Sequence, residues 1–498
     1  MAAVWAVTQV HTEEEQYGKR RSRAGEGKKP PISILFIGGK IIMKQHDQKN
    51  TSIYELDGKP PLRQAFPLGL QQLLAMFVGN IVPMLLVSSS AGLPASQSTL
   101  LLQCSILGAG VATLIQIFPI KLGIIQTGSG LPVMMGLTYT FLPICISVSV
   151  QYGLGVLFGA QLAGGLFSIL IGLLLPKIRR FFPPIVTGTI IVSIGVSCFP
   201  LAAYNLAGGQ GAADMGAAHN WIIGIIVIVA ILACSGFGKG LVSAAAILIG
   251  MLAGYAVSVV WGIVDFSAVA EASWFALPKP LAFGIELRWD FVIVFILLFF
   301  INAVEMTGDF TVSATGGLDR QPADKELTGG IIGNGIACVF SAFFNCFATG
   351  TYSQCSGIVA LTKVCSRYVM GCGAVTLIVA AFCPKLSAVL STIPSCVIGG
   401  ATIVVFSMIA ISGMNLVARS RFTSRSMLIC GTALALGLGI SLAKDTLANA
   451  GEYVQMFFGE SSIILVAGTA LVLNIILPKD KVDKEVEKEM MDAINETA

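Results

Sequence analysis

The sequence predicts an all-α polytopic membrane protein, and three of its features support this prediction. Charged residues make up only 12% of the 498 residues and hydrophobic residues 55%, whereas a soluble domain carries roughly 25% charged residues. Apolar runs of about 20 residues recur along the chain, which is the length a helix needs to cross roughly 30 Å of hydrocarbon. Short signals in the first half of the chain also recur in the second half.

Glycine, proline and charged residues divide the apolar region into about fourteen segments. The predicted segments are 69–89, 98–118, 123–149, 153–175, 184–203, 220–236, 240–263, 289–309, 328–348, 353–366, 369–388, 393–413, 425–443 and 460–478. The third contains Gly128, Gly130 and Pro132, and the tenth opens with polar residues at 353–357. Such broken segments are tolerated at membrane depth only where they line a cavity or are buried in protein, so they predict a binding site.

An internal repeat favours a transporter over a channel or a membrane enzyme. The pattern Pro-x-x-Val-x-Gly opens the fifth segment at 183–188 and the twelfth at 394–399. A broken segment lies two segments before each copy. Because the offset of seven segments is odd, the second copy is inverted relative to the first, as in transporters that work by alternating access.

The distribution of basic residues predicts the orientation. Lysine and arginine are concentrated before the first segment and after the fourth, eighth and twelfth, while the links 90–97 and 204–219 contain neither. The positive-inside rule therefore places both termini in the cytoplasm of a multi-pass protein of the cell membrane. The net charge of +4 is a consequence of these basic links and does not indicate a nucleic acid partner. The cysteines show no metal-ligand spacing, so we expect no metal and no cofactor.

One pair of acidic residues stands out within the apolar segments. Glu305 and Asp309 are four residues apart in the eighth segment, which places both carboxylates on one helix face. Charged residues at this depth face a cavity, pair, or carry protons, although a solvated helix end is the alternative for this pair. The predicted segments contain no histidine, so a proton relay would use these carboxylates.

The start of the tenth segment resembles a known signature. The string QCSGIVALTK at 354–363 is similar to the motif of the nucleobase–ascorbate transporter family (nucleobase:cation symporter-2), of the xanthine/uracil permease type. Gln354, Gly357, Thr362 and Lys363 match that motif, whereas Cys355 stands where the family has asparagine.

Three further stretches extend the resemblance over most of the chain. Residues 69–76 resemble the motif of the first segment, with Gln72 in place of a histidine after Gln71. Residues 131–141 resemble the strand of the third segment, and 303–309 resemble the Glu–Gly–Asp pattern of the eighth.

The resemblance implies fourteen segments in a 7+7 inverted repeat, with a core domain, a gate domain that mediates a homodimer, and short antiparallel strands in segments 3 and 10. These strands would hold the substrate between two helix N-termini. The implied ranges are 1–66 for a cytoplasmic N-terminal extension, 67–180 and 286–390 for the core domain, 181–285 and 391–478 for the gate domain, and 479–498 for a cytoplasmic tail.

The resemblance also implies roles for individual residues. Glu305 would accept hydrogen bonds from ring N–H groups and Gln354 would match a purine edge. Phe141, which by itself would be read as core filler, would stack on the base, with Thr140 and Cys355 also in the substrate site. Glu305 and Asp309 would provide the coupling. The supporting residues would be Gln71, Gln72, Gly357, Thr362 and Lys363, of which Thr362 and Lys363 would affect specificity.

The sequence therefore predicts a proton-coupled carrier for a purine nucleobase. Glutamine at 354, where uracil carriers of the family tend to have glutamate, favours xanthine or urate. The alternatives are a carrier for uracil or another nucleobase, sodium coupling, and an anion exchanger with the same fold. A membrane enzyme is disfavoured because no nucleophile–base pair or metal cluster is evident.

Overall fold

A computed structural model describes residues 33–37, 40–44, 52–122, 125–178, 183–419, 423–451, 454–455 and 462–478. The chain divides into two compact units, Met1–Asn50 and Thr51–Ala498. In the first unit, Ser33–Ile37 (β1) and Lys40–Lys44 (β2) form an antiparallel hairpin. The rest of the predicted N-terminal extension up to residue 51, and the predicted tail 479–498, lie outside the described residues.

The first half of the second unit is helical except in its third segment. Its elements are Leu62–Ser90 (α1), Ala95–Ile117 (α2), Ile120–Leu122 (β3), Ile125–Thr127 (β4), Met135–Leu137 (β5), Leu142–Gln151 (α3), Leu154–Ile178 (α4), Pro184–Ser197 (α5), Phe199–Leu206 (α6), Ala218–Phe237 (α7), Leu241–Ala244 (α8), Ala246–Val260 (α9) and Ser267–Glu271 (α10). A 3-10 turn, Tyr139–Phe141, joins β5 to α3. The helix α5 begins directly after Pro183, because Pro184 occupies its first turn, where a missing N–H costs no hydrogen bond.

The second half also begins with two long helices followed by a strand. Its elements are Trp289–Val312 (α11), Asp324–Phe343 (α12), Thr349–Thr351 (β6), Ser353–Thr362 (α13), Arg367–Ala381 (α14), Pro384–Ser391 (α15), Ser395–Arg419 (α16), Ser424–Leu442 (α17) and Ser462–Ile476 (α18). A π-helical turn, Ser313–Gly317, extends α11. Ser366 caps the start of α14, because its side chain accepts a hydrogen bond from the Val369 N–H.

The described residues contain nine helices long and apolar enough to cross a membrane, or ten if the bent pair α14–α15 is one span. Three shorter apolar helices, Tyr139–Gln151, Ala246–Val260 and Ser462–Ile476, lie at further predicted positions. Helices therefore occur at all the predicted segment positions, but the count of fourteen crossings stays a prediction.

The two broken segments meet in the middle of the unit. The strand β5 of segment 3 pairs with β6 of segment 10 in antiparallel register, Met135 opposite Thr351 and Leu137 opposite Thr349. This is the strand arrangement that the resemblance implies for these segments. A second antiparallel pair, β3–β4, lies at the start of the predicted segment 123–149, with β3 before it and β4 inside it.

Several of the most extensive helix contacts join helices within the ranges of the same predicted domain. The helix α4 packs on α11 and α12, and α14 packs on α1 and α2, all within the ranges assigned to the core domain. The helix α16 packs on α5, α6 and α7, and α18 on α5 and α17, all within the ranges assigned to the gate domain.

A close helix contact in the gate ranges joins α5 to α16 through two glycines. A Cβ at Gly413 would lie 2.4 Å from the Val192 amide nitrogen and 2.8 Å from the Gly188 carbonyl oxygen. Only hydrogen fits between these backbones, so any side chain at 413 must push the helices apart.

We expect Gly413→Leu to destabilise the protein by about 1–3 kcal/mol, because overpacking at this crossing forces backbone shifts. The measurement is the midpoint of heat denaturation in detergent, followed by fluorescence-detected size exclusion. Gly439→Leu on α17 is the control, since a Cβ there meets no atom within 4 Å. Equal midpoints for the two variants would show that this contact is not tight.

Candidate functional site

A small pocket lies beside the β5–β6 pair and has a volume of about 50 Å³. One wall consists of residues at or directly after the two strands, namely Thr138, Tyr139, Thr351, Tyr352, Ser353 and Gln354, together with Glu305 of α11. The opposite wall consists of Ile191 of α5 and Ile409 and Ser412 of α16. The two walls thus come from the ranges predicted as core and gate domains.

Buried side chains accept hydrogen bonds from the backbone N–H groups on the outer edge of β5. The Leu137 N–H donates to the Asn80 side-chain oxygen at 3.0 Å, and the Met135 N–H donates to the Thr113 hydroxyl at 3.0 Å. Backbone polar groups at membrane depth require such internal partners, because no water is available there. Asn80 of α1 therefore fixes the strand of segment 3.

Buried asparagine side chains likewise form hydrogen bonds with β6. The Asn302 side-chain amide of α11 donates to the Thr349 carbonyl oxygen at 3.0 Å, and the Thr349 hydroxyl donates to the Asn334 side-chain oxygen at 3.0 Å. Asn80 and Asn302 lie in the first segment of their respective repeats. Each asparagine thus anchors the strand of its own repeat.

Two tyrosines border the pocket, and neither was among the residues predicted from the sequence. The Tyr139 hydroxyl donates to the Gly79 carbonyl oxygen and the Tyr352 hydroxyl to the Leu137 carbonyl oxygen, both at 3.0 Å. A Cβ at Gly136 would lie only 2.6 Å from the Tyr352 ring, so glycine is required in the centre of β5. Their position next to the two broken segments was the signal that could have identified both tyrosines.

The two predicted carboxylates contact different broken segments. The Thr140 hydroxyl donates to Glu305 Oε2 at 2.7 Å, and the Thr351 hydroxyl donates to Asp309 Oδ2 at 2.5 Å. Glu305 is half-buried and lines the pocket, whereas Asp309 is 6% exposed and lies behind Thr351. Among the described residues, no lysine or arginine forms an ion pair with either carboxylate.

Phe141 does not line the pocket, contrary to the expectation that it lies against the substrate. Its ring is 1% exposed and packs 4.8 Å from Phe299 and 5.5 Å from Phe295, measured between ring centroids. That expectation came from the resemblance of residues 131–141 to the strand of the third segment. The chain forms a 3-10 turn instead, in which Tyr139 and Phe141 point in different directions. Tyr139, not Phe141, is the aromatic residue of this turn that lines the pocket.

Cys355 lies behind the pocket as well, although its neighbour Gln354 lines it. The Cys355 thiol is fully buried and donates to the Gln72 carbonyl oxygen at 3.5 Å. Gln72 is 2% exposed, and its side-chain oxygen has no hydrogen-bond partner among the described residues.

The other predicted supporting residues lie away from the pocket walls. Gln71 is half-buried on α1, and a Cβ at Gly357 would meet no atom within 4 Å. Thr362 is exposed at the end of α13, and the Lys363 ammonium contacts the Asp319 carboxylate at 2.7 Å. The structure brings together Glu305, Gln354 and, through its hydrogen bond to Glu305, Thr140.

Comparison with known proteins identifies the family. Residues 63–446 match the family model Xan_ur_permease, described as "Permease family". The chain belongs to this permease family. It is a multi-pass membrane permease and not an enzyme.

Two bacterial permeases are similar to this one over most of its length. Uric acid permease PucK of Bacillus subtilis (strain 168) is 35% identical over 413 residues, which are 82% of this chain and 95% of PucK. Xanthine permease XanP of Escherichia coli (strain K12) is 33% identical over 453 residues, which are 87% of this chain and 96% of XanP.

Solved structures show that the permease shares its fold with anion transporters. The transmembrane domain of a cyanobacterium bicarbonate transporter, BicA, aligns with a TM-score of 0.51 at 16% identity and covers 83% of this chain and 97% of BicA. SLC26A9 aligns with a TM-score of 0.59 at 11% identity, and the alignment covers 84% of this chain and 66% of the SLC26A9 chain. At these identities the similarity concerns the fold alone.

The structure connects the two positions at which the permease departs from its family's motifs. Cys355 and Gln72 lie on different helices, α13 and α1, and are in direct contact. The contact is to the backbone carbonyl oxygen of Gln72, so a larger side chain at 355 would press on α1 next to the pocket-lining Gln354, and we expect the side chain at 72 to influence how well it is accommodated.

We expect Cys355→Asn alone to destabilise the permease by about 1–3 kcal/mol, because it inserts a larger polar group against Gln72. Adding Gln72→His should recover part of this loss, since residues in contact typically show coupling energies of about 0.5–3 kcal/mol. Heat-denaturation midpoints of the wild type, both single variants and the double variant measure the coupling. Gln72→His with Cys145→Asn, a buried cysteine on α3, is the control pair. Additive effects of Gln72→His and Cys355→Asn would contradict the proposed coupling.

Proposed function

We propose that this permease carries a purine nucleobase, xanthine or urate, across the cell membrane by proton-coupled alternating access. The observation that carries the proposal is that Glu305 and Gln354 line one pocket beside the β5–β6 pair. Relatives named as uric acid and xanthine permeases, at 33–35% identity over nearly their full length, support a purine as the substrate.

The pocket chemistry suits a planar base with ring N–H groups. The Glu305 carboxylate is an acceptor for such groups, and charge-assisted hydrogen bonds of this kind are strong. The Gln354 amide offers a donor and an acceptor, which matches an N–H beside a carbonyl. Tyr139 and Tyr352 contribute aromatic surface to the same wall. Thr140 acts through Glu305, and Cys355 acts by positioning Gln354.

The two carboxylates of α11 are the proposed carriers of the coupling proton. Each accepts a hydrogen bond from a threonine hydroxyl, and neither is neutralised by a basic side chain among the described residues. A carboxylate in such a position takes up and releases a proton more readily than one held in an ion pair. Proton coupling is therefore preferred, with sodium coupling as the alternative outcome of the experiment below.

The proposed movement displaces the core domain (67–180 and 286–390) relative to the gate domain (181–285 and 391–478). Helix packing within these ranges supports the division, and the pocket lies between them. Its volume of about 50 Å³ is far below the roughly 300–1,000 Å³ of typical small-molecule sites, so its walls must separate to admit a base. Fourteen crossings, with both termini in the cytoplasm, complete this proposal.

The proposed homodimer forms through the gate domain. In α7 and in α17, only 28% of an apolar 18-residue stretch of the helix is buried. The corresponding share is 61–78% in the other long apolar helices of the described residues. Both helices lie in the gate ranges and therefore offer apolar surface to lipid or to a second copy.

An anion exchanger is the main rival, because the structural neighbours BicA and SLC26A9 are anion transporters by title. The site itself disfavours a small inorganic anion. Glu305 contributes a carboxylate to the pocket wall, and no lysine or arginine is among the described residues that line it.

We expect Glu305→Gln to lower the uptake of radiolabelled xanthine and urate at least about tenfold, because a hydrogen bond to a charged group is worth about 1.5–3 kcal/mol. A protonophore should reduce uptake by the wild type to a similar extent. The assay uses cells in which surface expression is measured for each variant. Asp290→Asn, in the first turn of the same helix and paired with Arg288, is the control.

Three outcomes of this assay would change the proposal. The absence of purine uptake by a wild-type protein shown to be at the membrane would overturn the substrate class. Uptake that follows a sodium gradient and resists the protonophore would replace the proton by sodium. Full activity of Glu305→Gln would remove that residue from the site.

A further inference from the structure

A second cavity, larger and apolar, lies away from the substrate pocket. It has a volume of about 370 Å³, within the roughly 300–1,000 Å³ typical of small-molecule sites. It lies where α1 and α14 begin and α2 ends. The residues that form it include Leu62, Phe66, Phe118, Tyr368, Val375 and Thr376. We call this cavity the α1–α14 groove.

The walls of the α1–α14 groove are exposed apolar side chains. Leu62 is 60% exposed, and Phe66, Phe118 and Val375 are 46%, 47% and 51% exposed. One turn after Val375 on the same face of α14, Val379 is 64% exposed. Apolar surface therefore extends from the groove along α14 into the membrane-spanning part of the helix. An elongated apolar ligand fits this shape better than a compact one.

Two basic residues lie close in sequence to residues that form the groove. Arg63 directly follows Leu62, and Lys121 follows Phe118 by three residues, and both are exposed. Neither forms an ion pair among the described residues.

The other charged residues near this part of the chain do not cancel the charge of Arg63 and Lys121. Arg367 is already engaged, since it contacts the Asp57 carboxylate at 3.0 Å and donates to the Gly130 carbonyl oxygen at 2.6 Å. Besides Asp57, Glu55 is the acidic residue that lies close in sequence to the groove-forming Leu62. Arg63 and Lys121 therefore leave an excess of positive charge beside an apolar groove.

We propose that the α1–α14 groove binds an anionic phospholipid, with one acyl chain along α14 and the phosphate between Arg63 and Lys121. The apolar walls match the chain, and the two cations match the headgroup. Basic residues next to a membrane-spanning helix attract anionic lipids in this way. The site involves different residues from the substrate pocket and is independent of which substrate the permease carries.

Native mass spectrometry of the full-length permease tests the proposal. The protein is purified in detergent, incubated with equal amounts of phosphatidylglycerol and phosphatidylcholine, and released from the micelle for counting of bound lipids. We expect the wild type to retain phosphatidylglycerol in preference to phosphatidylcholine. Retention of phosphatidylcholine and phosphatidylglycerol in equal amounts, or of detergent alone, would overturn the proposal.

Two matched pairs of variants locate the site. Val375→Trp fills the groove and should abolish the preferential retention, whereas Val472→Trp on α18, at a valine that is 50% exposed and lies outside the proposed site, should preserve it. Arg63→Gln with Lys121→Gln should lower retention of phosphatidylglycerol about fivefold for each charge removed. Lys239→Gln, an exposed lysine after α7, should have no effect. Because Arg63 and Lys121 are exposed, the double variant and its Lys239→Gln control test the site even if Val375→Trp fails to fold. Equal retention by the members of either pair would contradict the assignment.

Discussion

The pairing of β5 with β6 is the constraint on which the rest of the structure depends. Two three-residue strands in a membrane protein expose backbone groups on their outer edges, and the surrounding lipid cannot satisfy them. Asn80, Thr113 and Asn302 supply the missing partners from three different helices. The strands therefore bind the two repeats to each other and fix α1, α2 and α11 around them.

The chemistry of the site follows from that pairing. Because the strands hold segments 3 and 10 against α11, the hydroxyls of Thr140 and Thr351 reach Glu305 and Asp309. Two carboxylates on one helix face thus contact the two repeats separately. A change in the protonation or ligation of either carboxylate would alter a contact to a broken segment, and this is the route by which the proposed proton coupling would reach the pocket.

The two walls of the pocket differ in how they are held. The strand wall is fixed by backbone pairing and buried hydrogen bonds, while α5 and α16 of the other wall are locked together through Gly188 and Gly413. Between the walls the contacts are side chain to side chain, such as the edge contact of Tyr139 with Phe406 at 5.4 Å. Rigid groups joined by weaker contacts favour movement at the pocket rather than within either group.

The sequence by itself determined the membrane class, the positions of the helical segments, the breaks in segments 3 and 10 and the carboxylate pair. Each of these features depends on residues that are close together in the sequence. The length of the apolar runs determines the helical segments, glycine and proline determine the breaks, and a spacing of four places the two carboxylates on one helix face. Only the tertiary structure decided that Tyr139 faces the pocket while Phe141 faces Phe299, and that Cys355 contacts Gln72. The first depends on a single 3-10 turn in place of a strand, and the second joins residues far apart in the chain, so no local pattern in the sequence encodes either.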